Sequence, residues 1–259
     1  MSMHRQRQHP FLDQAAPIPF VHRGGPTGLP ENTLVAFERA YRLGFRYFET
    51  DVHATSDGEL VAFHDRSLRR LAGARVAISS LSAAQVADVR IDEEPVPLLV
   101  DLLRRFPDAR FNIDPKSDAA VRPLAKLLAE EQVLDRVCVA SFSDIRLSWM
   151  RTAFGDKVCS AAGPRELARA RWAVERGRTP DLPRVDVLQL PPGPRLLPLV
   201  DQRFVEAAHH AGIPVHVWTV NDPTAMGRLL TMGVDGVMSD DAIVLRSVFE
   251  AHGLWLEGH

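Results

Sequence analysis

The chain has little cysteine, no long apolar run and no basic run, and each shortage excludes a class of protein. Only 2 cysteines occur in 259 residues, too few for a disulfide framework or a cysteine-rich metal site. No stretch approaches the ~20 apolar residues of a membrane span, and residues 1–18 lack the apolar segment of a secretory signal. A formal net charge of −2 argues against a nucleic-acid partner. We therefore expect a cytoplasmic protein with reduced, buried cysteines.

The remaining composition is that of an ordinary globular protein, with 46% apolar and 25% charged residues. Residues 1–17 are polar and interrupted by proline, which predicts a flexible or loosely docked lead-in. No later change in composition marks a boundary. The sequence thus predicts a single domain over residues 18–259.

Short apolar runs alternate with amphipathic segments along that domain. The predicted strands cover 20–23, 47–52, 110–114, 137–141, 158–161, 185–190, 215–220 and 236–239. The predicted helices cover 33–43, 97–106, 118–131, 143–153, 164–177, 201–211, 222–232 and 241–252. Eight strand–helix pairs are typical of a (β/α)₈ TIM barrel. An open doubly wound sheet is the alternative, but no glycine-rich dinucleotide turn follows any strand.

The second strand and its helix are separated by an unusually long segment, residues 53–95. Within it, Ser56-Asp57-Gly58-Glu59 is typical of a hairpin turn. Such a hairpin would return residues 60–65 to the mouth of the barrel, followed by a variable, arginine-bearing loop. We therefore predict a small hairpin-containing insertion after the second strand.

Acidic residues gather where predicted strands end. Glu49 and Asp51 lie two apart on the second strand, so they share a face and lie ~6–7 Å apart along it. Two carboxylates that face one space repel each other unless a cation neutralises them, which points to a hard, oxygen-ligated metal. Asp114, at the end of the third strand, can supply a further oxygen. The alternative is that these acids cap helices or pair with arginines.

Several motifs between residues 20 and 65 occur in a fixed order: His22-Arg23-Gly24, Pro30-Glu31-Asn32-Thr33, Ala36-Phe37, Gly44, Glu49-x-Asp51-Val52, Thr55-x-Asp57-Gly58, Val61 and His64-Asp65. In this order and spacing the stretch closely resembles the glycerophosphodiester phosphodiesterase family. The resemblance implies a TIM barrel with a small insertion at the position found here.

The resemblance also implies roles for particular residues. Those matching His22 and His64 act as an acid/base pair, and those matching Glu49, Asp51 and Asp114 bind one divalent cation, Mg²⁺ or Ca²⁺. We assign His22 as the base and His64 as the acid, since an imidazole titrates in the range that both steps require. The usual third ligand is glutamate, so Asp114 is about one methylene shorter than the family pattern.

Five further residues complete the predicted site. Arg23 and Lys116 are the expected phosphate partners, although either could instead form a salt bridge with the acids. Trp218 can form an apolar wall for the glycerol or the leaving alcohol, or else pack in the core. Glu31 and Asn32 either cap the first helix or orient Arg23 or the metal from behind.

The predicted function is metal-dependent hydrolysis of small-molecule glycerophosphodiesters, such as glycerophosphocholine or glycerophosphoethanolamine, to sn-glycerol 3-phosphate and an alcohol. One alternative is a lysophospholipase D, which needs an apolar rim that the sequence does not reveal. A two-zinc amidohydrolase is disfavoured because no His-x-His pair ends the first strand. A non-catalytic phosphodiester-binding barrel is disfavoured because both histidines and all three acids are present. The oligomeric state stays open.

Overall fold

The computed structural model describes residues 9–14, 17–194 and 198–256. In chain order its strands are β1 (Ile18–Val21), β2 (Tyr47–Ala54), β3 (Leu60–Ala62), β4 (Arg90–Ile91), β5 (Glu94–Pro95), β6 (Arg110–Pro115), β7 (Val137–Val139), β8 (Cys159–Ser160), β9 (Leu188–Leu190), β10 (Val215–Val217) and β11 (Gly236–Ser239). Its α-helices are α1 (Leu34–Arg42), α2 (Arg69–Ala72), α3 (Ala83–Ala87), α4 (Leu99–Arg105), α5 (Asp118–Glu130), α6 (Asp144–Phe154), α7 (Pro164–Glu175), α8 (Gln202–His210), α9 (Pro223–Met232) and α10 (Ala242–Ala251).

Eight of these strands form one parallel sheet in the order β8-β7-β6-β2-β1-β11-β10-β9. Its two ends meet through a parallel bridge between Ala161 and Val187, where the Ala162 N–H donates to the Val187 carbonyl at 2.9 Å. The sheet therefore closes into a barrel, and the predicted TIM barrel is confirmed. The eight predicted strands all form, though several end earlier than predicted because their last residues turn into the loops at the mouth.

Two apolar layers hold the barrel together. The larger lies between strands and helices, where Phe37 of α1 packs on Phe48 of β2 with ring centroids 5.4 Å apart. The smaller fills the lower barrel interior and includes Phe20, Cys138 and Cys159. Both cysteines are free and buried, as the sequence predicted. Among the described residues, no helix has the length and hydropathy needed to cross a membrane.

Part of the predicted flexible lead-in packs against the barrel instead. Pro10–Leu12 forms a turn of 3₁₀ helix, and Phe11 is fully buried against Phe20 and Tyr47, with centroid distances of 6.2 and 5.5 Å. The Tyr47 hydroxyl donates to the Phe11 carbonyl at 3.0 Å, and His9 is buried too. An apolar side chain is needed here because the lower barrel would otherwise be open to water. Residues 1–8 and 15–16 lie outside the described residues.

The predicted hairpin after β2 is confirmed. β3 pairs antiparallel with the end of β2, so that Val52 faces Ala62, and Gly58 takes the positive φ of +88° that the turn requires. The rest of the insertion is more ordered than the predicted variable loop. It contains α2, α3 and a short β4–β5 pair around its own core, which includes Phe63 and Ile78. The polar residues of the insertion, such as His64 and Asp65, therefore lie on a segment that is packed around its own core.

Candidate active site

The carboxyl ends of the barrel strands surround a cavity of ≈ 670 Å³. Eight of the ten site residues predicted from the sequence line it: His22, Arg23, Glu49, Asp51, His64, Asp114, Lys116 and Trp218. The remaining two, Glu31 and Asn32, lie behind them. The structure thus brings together residues that are remote in sequence, as parallel strands that end at one face require.

The three acids sit on neighbouring strands. Asp51 of β2 lies directly beside Asp114 of β6 in the parallel register, and Glu49 lies two residues earlier on β2, beside Asn112. Their residues are only 1%, 8% and 6% exposed, respectively. The Lys116 ammonium lies between the two aspartates, 2.6 Å from Asp51 Oδ1 and 2.8 Å from Asp114 Oδ2. The predicted same-face placement of Glu49 and Asp51 is therefore what the structure shows.

Positive charge is unevenly shared among these acids. Burial, together with the neighbouring Asp51 charge, raises the pKa of Glu49. Burial also raises the pKa of Asp114 despite the nearby Lys116. Burial would raise the pKa of Asp51 as well, but Lys116 and Arg23 hold it below its ordinary value. Glu49 is accordingly the carboxylate with the least compensated charge.

The donor set suits a hard cation. Asp114 Oδ1 is buried and has no hydrogen-bond partner within the described part of the chain. In that same part, no group of three or more histidine, cysteine or acidic side chains is arranged to hold an ion as it stands. Lys116 fills the gap between Asp51 and Asp114. Its ammonium stands in for a cation, so a metal fits only if Lys116 moves aside.

His22 follows β1 and is oriented by two acids. Its Nδ1 lies 2.6 Å from Asp240 Oδ1, and its Nε2 lies 3.6 Å from Glu49 Oε2. Burial lowers the pKa of His22, but the charges of Glu49 and Asp240 outweigh this, so the pKa is raised. Asn221 donates to Asp240 Oδ2 at 2.8 Å and thereby fixes the carboxylate.

His64 reaches the same cavity from the insertion. Its Nδ1 lies 2.7 Å from Asp65 Oδ1, and its backbone carbonyl contacts His53 Nε2 at 3.1 Å. An imidazole whose Nδ1–H donates to a carboxylate keeps Nε2 for other partners. The two cavity histidines thus share one arrangement, each with a carboxylate at Nδ1.

Comparison with known proteins agrees with this geometry. The profile of the Glycerophosphoryl diester phosphodiesterase family matches residues 22–244. The probable glycerophosphodiester phosphodiesterase 2 of Mycobacterium tuberculosis is 37% identical over 251 residues, 95% of each chain. The chain belongs to this phosphodiesterase family.

Solved structures show the same fold. A putative glycerophosphoryl diester phosphodiesterase from Silicibacter pomeroyi superposes with a TM-score of 0.80 at 21% identity, covering 96% of this chain and 99% of that one. An Oleispira antarctica phosphodiesterase in complex with the product sn-glycerol-3-phosphate gives 0.76 at 20% identity, covering 91% and 97%. This chain therefore shares its fold with both structures over nearly its whole length.

The residues behind the site connect the insertion to the barrel. Arg70 of α2 donates to both oxygens of Glu31, at 2.9 and 2.7 Å, and to both oxygens of Asp65, at 2.7 and 3.2 Å. Glu31 also accepts from Arg23 Nη1 at 3.1 Å, and Asp65 holds His64. Arg70 thus joins the supports of Arg23 and of His64 in one network.

Arg23 and Asn32 support the acids directly. Arg23 Nε lies 3.0 Å from Asp51 Oδ2 as an ion pair without hydrogen-bond alignment, and the Arg23 N–H donates to Glu49 at 3.2 Å. Asn32 donates to Asp51 at 3.2 Å and accepts from Thr50 at 2.8 Å. Asn32 therefore does not cap α1 by its side chain. The salt bridges allowed for Arg23 and Lys116 in the sequence are also present.

Sequence reasoning missed two of these supporting residues. Asp240 directly precedes the last predicted helix, 241–252, but Asp241 is the residue that caps α10, by accepting the N–H groups of Ile243 and Val244. Asp240 binds His22 instead, and its position after the eighth barrel strand could have suggested this. Arg70 is one of four arginines in or near α2, with Arg66, Arg69 and Arg75, and nothing in the sequence separates it from them.

Arg70→Ala should raise the pKa of Asp65. Hydrogen bonds from Arg70 are the main cause that holds this pKa at about 2, followed by the contact with His64. Because the folded-state pKa is lowered, the pair stabilises the fold above the ordinary pKa of about 4, and this contribution is lost as the pH falls towards 2.

A carboxyl-carbon NMR titration would measure the change. The variant should titrate nearer to 4, while Arg69→Ala, on the same helix, should leave the Asp65 curve in place. An Asp65 curve that is the same in wild type and Arg70→Ala would contradict the network.

Proposed function

We propose that this family member is a metal-dependent phosphodiesterase that hydrolyses glycerophosphodiesters, such as glycerophosphocholine or glycerophosphoethanolamine, to sn-glycerol 3-phosphate and an alcohol. One observation carries the proposal. Two imidazoles, each with a carboxylate at Nδ1, line the same cavity as three buried acids and two cationic side chains. A diester needs a proton removed at one oxygen and supplied at another, and this set can do both.

Glu49, Asp51 and Asp114 would hold the ion, Mg²⁺ or Ca²⁺, because carboxylate oxygens are the ligands that both prefer. The unpaired Asp114 Oδ1 supports this choice. When bound, the ion would supply Lewis-acid polarisation of the phosphoryl oxygens. Lys116, displaced from between Asp51 and Asp114, would then be available to the phosphate.

The charge count favours a diester over a monoester. Three carboxylates and a divalent ion sum to −1, and Arg23 with Lys116 brings the site to +1. A phosphodiester carries one negative charge, which this site neutralises. Arg23 can bind two phosphate oxygens with its planar guanidinium, and Lys116 acts as a point charge.

His22 is the proposed base for the attacking oxygen, whether of water or of the glycerol 2-hydroxyl. The Glu49 carboxylate charge helps to raise the pKa of His22, and a cation bound at Glu49 would offset that charge. Once that charge is neutralised by a cation, His22 can accept a proton while Asp240 holds its ring in place. His64, oriented by Asp65, is the proposed acid that protonates the leaving alkoxide.

His64→Ala should separate the two histidine roles. Glycerophosphocholine cleavage should fall by about 10²–10³-fold, because the choline alkoxide needs a proton to leave. Cleavage of bis-(p-nitrophenyl) phosphate should fall by less than about tenfold, because its leaving group needs none. Both rates are measured with Mg²⁺ present, and His209→Ala, at the surface, serves as the control. Equal losses on both substrates would remove His64 from the acid role.

Removal of divalent ions should abolish the activity. Chelation followed by dialysis should stop glycerol 3-phosphate release, and added Mg²⁺ or Ca²⁺ should restore it. Glu49→Gln keeps the shape of the side chain but loses the charge, so it should fail to recover at the ion concentration that restores wild type. Glu59→Gln, in the hairpin turn, is the matched control and should recover fully.

Calorimetric titration of the divalent ion into both variants provides a second readout. Full activity in protein shown to contain no divalent ion would contradict the metal assignment. A chain that binds the ion and glycerophosphocholine but never turns it over would instead be the non-catalytic barrel.

A further inference from the structure

Three uncharged polar side chains line the cavity beside the acids and have no part in the chemistry described so far. They are Asn112 of β6, Ser141 after β7 and Gln189 of β9, and each is less than a tenth exposed. Asn112 lies beside Glu49 in the strand register and two residues before Asp114. It therefore shares a face with Asp114 and lies ~6–7 Å deeper in the barrel.

The hydrogen bonds of the two amides leave one donor and one acceptor unused. Gln189 Nε2 donates to Asn112 Oδ1 at 3.1 Å and contacts His216 Nδ1 at 3.4 Å. Within the described part of the chain, no hydrogen bond reaches the Nδ2 group of Asn112 or the Oε1 atom of Gln189. The pair thus keeps an N–H donor and a carbonyl acceptor at the cavity wall.

His216 holds the Gln189 amide in this orientation. Its ring is fully buried on β10, and burial lowers the pKa of His216 to about 3, so the imidazole is neutral and can accept at Nδ1. The ring packs on Phe20 with centroids 4.9 Å apart, and a Cβ added at Gly236 would lie 2.8 Å from its Cδ2 atom. Because the ring is tightly enclosed, the amide keeps Nε2 towards it and Oε1 away from it.

Ser141 adds a hydroxyl that lacks a partner. Its Oγ is buried and has no hydrogen-bond partner among the described residues. A buried hydroxyl without a partner costs free energy. Since Ser141 lines the cavity, a bound molecule can supply that partner. A serine hydroxyl can both donate and accept, so its natural complement is another hydroxyl group.

We propose that Asn112, Ser141 and Gln189 form a subsite that binds the free hydroxyl groups of the glycerol, and so select diesters whose retained alcohol is a small polyol. The inference rests on the proposed function, since it requires the phosphate to lie at the acids. The subsite offers a donor, an acceptor and a hydroxyl, which matches two hydroxyl groups that each donate and accept. A three-carbon chain can span the ~6–7 Å between the two levels of the cavity wall.

The head group is a poorer occupant of this subsite than the glycerol. The quaternary ammonium of choline has no N–H to donate, so it would leave Gln189 Oε1 and Ser141 Oγ without partners. A second phosphate would face the Gln189 carbonyl and the neighbouring Glu49, both of which only accept. An uncharged diol meets neither obstacle, and binding it buries no additional charge.

The test compares the binding of sn-glycerol 3-phosphate and n-propyl phosphate, which share the phosphate and the three carbons but differ in the hydroxyl groups. Calorimetry with Mg²⁺ present gives both Kd values, and no bond is broken. Wild type should bind sn-glycerol 3-phosphate at least about tenfold more tightly. Ser141→Ala and Gln189→Met should each lower this ratio by about three- to tenfold, by weakening the binding of sn-glycerol 3-phosphate alone.

Two exposed residues provide matched controls. Ser148→Ala on α6 and Gln202→Met on α8 should keep the wild-type ratio. Gln189→Met also removes a donor from Asn112 and His216, so the unfolding temperature of each variant is measured first. Ser141→Ala breaks no hydrogen bond, so it tests the subsite even if Gln189→Met does not fold.

The outcomes separate this inference from the proposed function. If wild type cleaves glycerophosphocholine but binds the two phosphates equally, the subsite inference is wrong and the proposed function stands. The inference is also wrong if Ser141→Ala keeps the wild-type ratio, or if it weakens both ligands equally. If the predicted ratios are found but glycerophosphocholine is never cleaved with metal present, the subsite stands as a binding site and the proposed hydrolysis fails.

Discussion

The active site depends on one electrostatic constraint: three carboxylates are buried side by side and must be given positive charge. Glu49, Asp51 and Asp114 lie on two adjacent strands in register, so none can move away from the others. The Lys116 ammonium pairs with both aspartates, whereas the negative charge of Glu49 has less positive charge beside it. Under the proposed function, a divalent cation would supply the missing positive charge and the phosphate would bind beside it.

The rest of the molecule keeps the two cavity histidines close to these acids. Asp240, directly after the last barrel strand, orients His22, and Asp65 orients His64. Arg70 links Asp65 to Glu31 and so ties the insertion to the loop that carries Arg23. The insertion has its own apolar core, so Arg70 joins two packed parts of the chain, the insertion and the barrel. His22 is thereby held by the barrel and His64 by the insertion, and both imidazoles line one cavity.

The sequence predicted the features that depend on local period and order. Alternation along β2 placed Glu49 and Asp51 on one face, and the spacing of strands and helices predicted the barrel. It did not reveal contacts that depend on closure of the barrel. Asp240 reaches His22 because β11 lies beside β1, although 218 residues separate the pair. Phe11 looked like part of a polar lead-in because only the folded barrel has an open apolar bottom for it to fill.

The central claim is that one divalent cation replaces the Lys116 ammonium among the three acids. Anomalous diffraction from crystals grown in Mn²⁺ tests it most directly, because the metal and the lysine are located in one experiment. The account predicts an anomalous peak in contact with carboxylate oxygens of Glu49, Asp51 and Asp114, with Lys116 turned out of the gap. It would be contradicted by a map at saturating Mn²⁺ with no peak there and Lys116 still between Asp51 and Asp114.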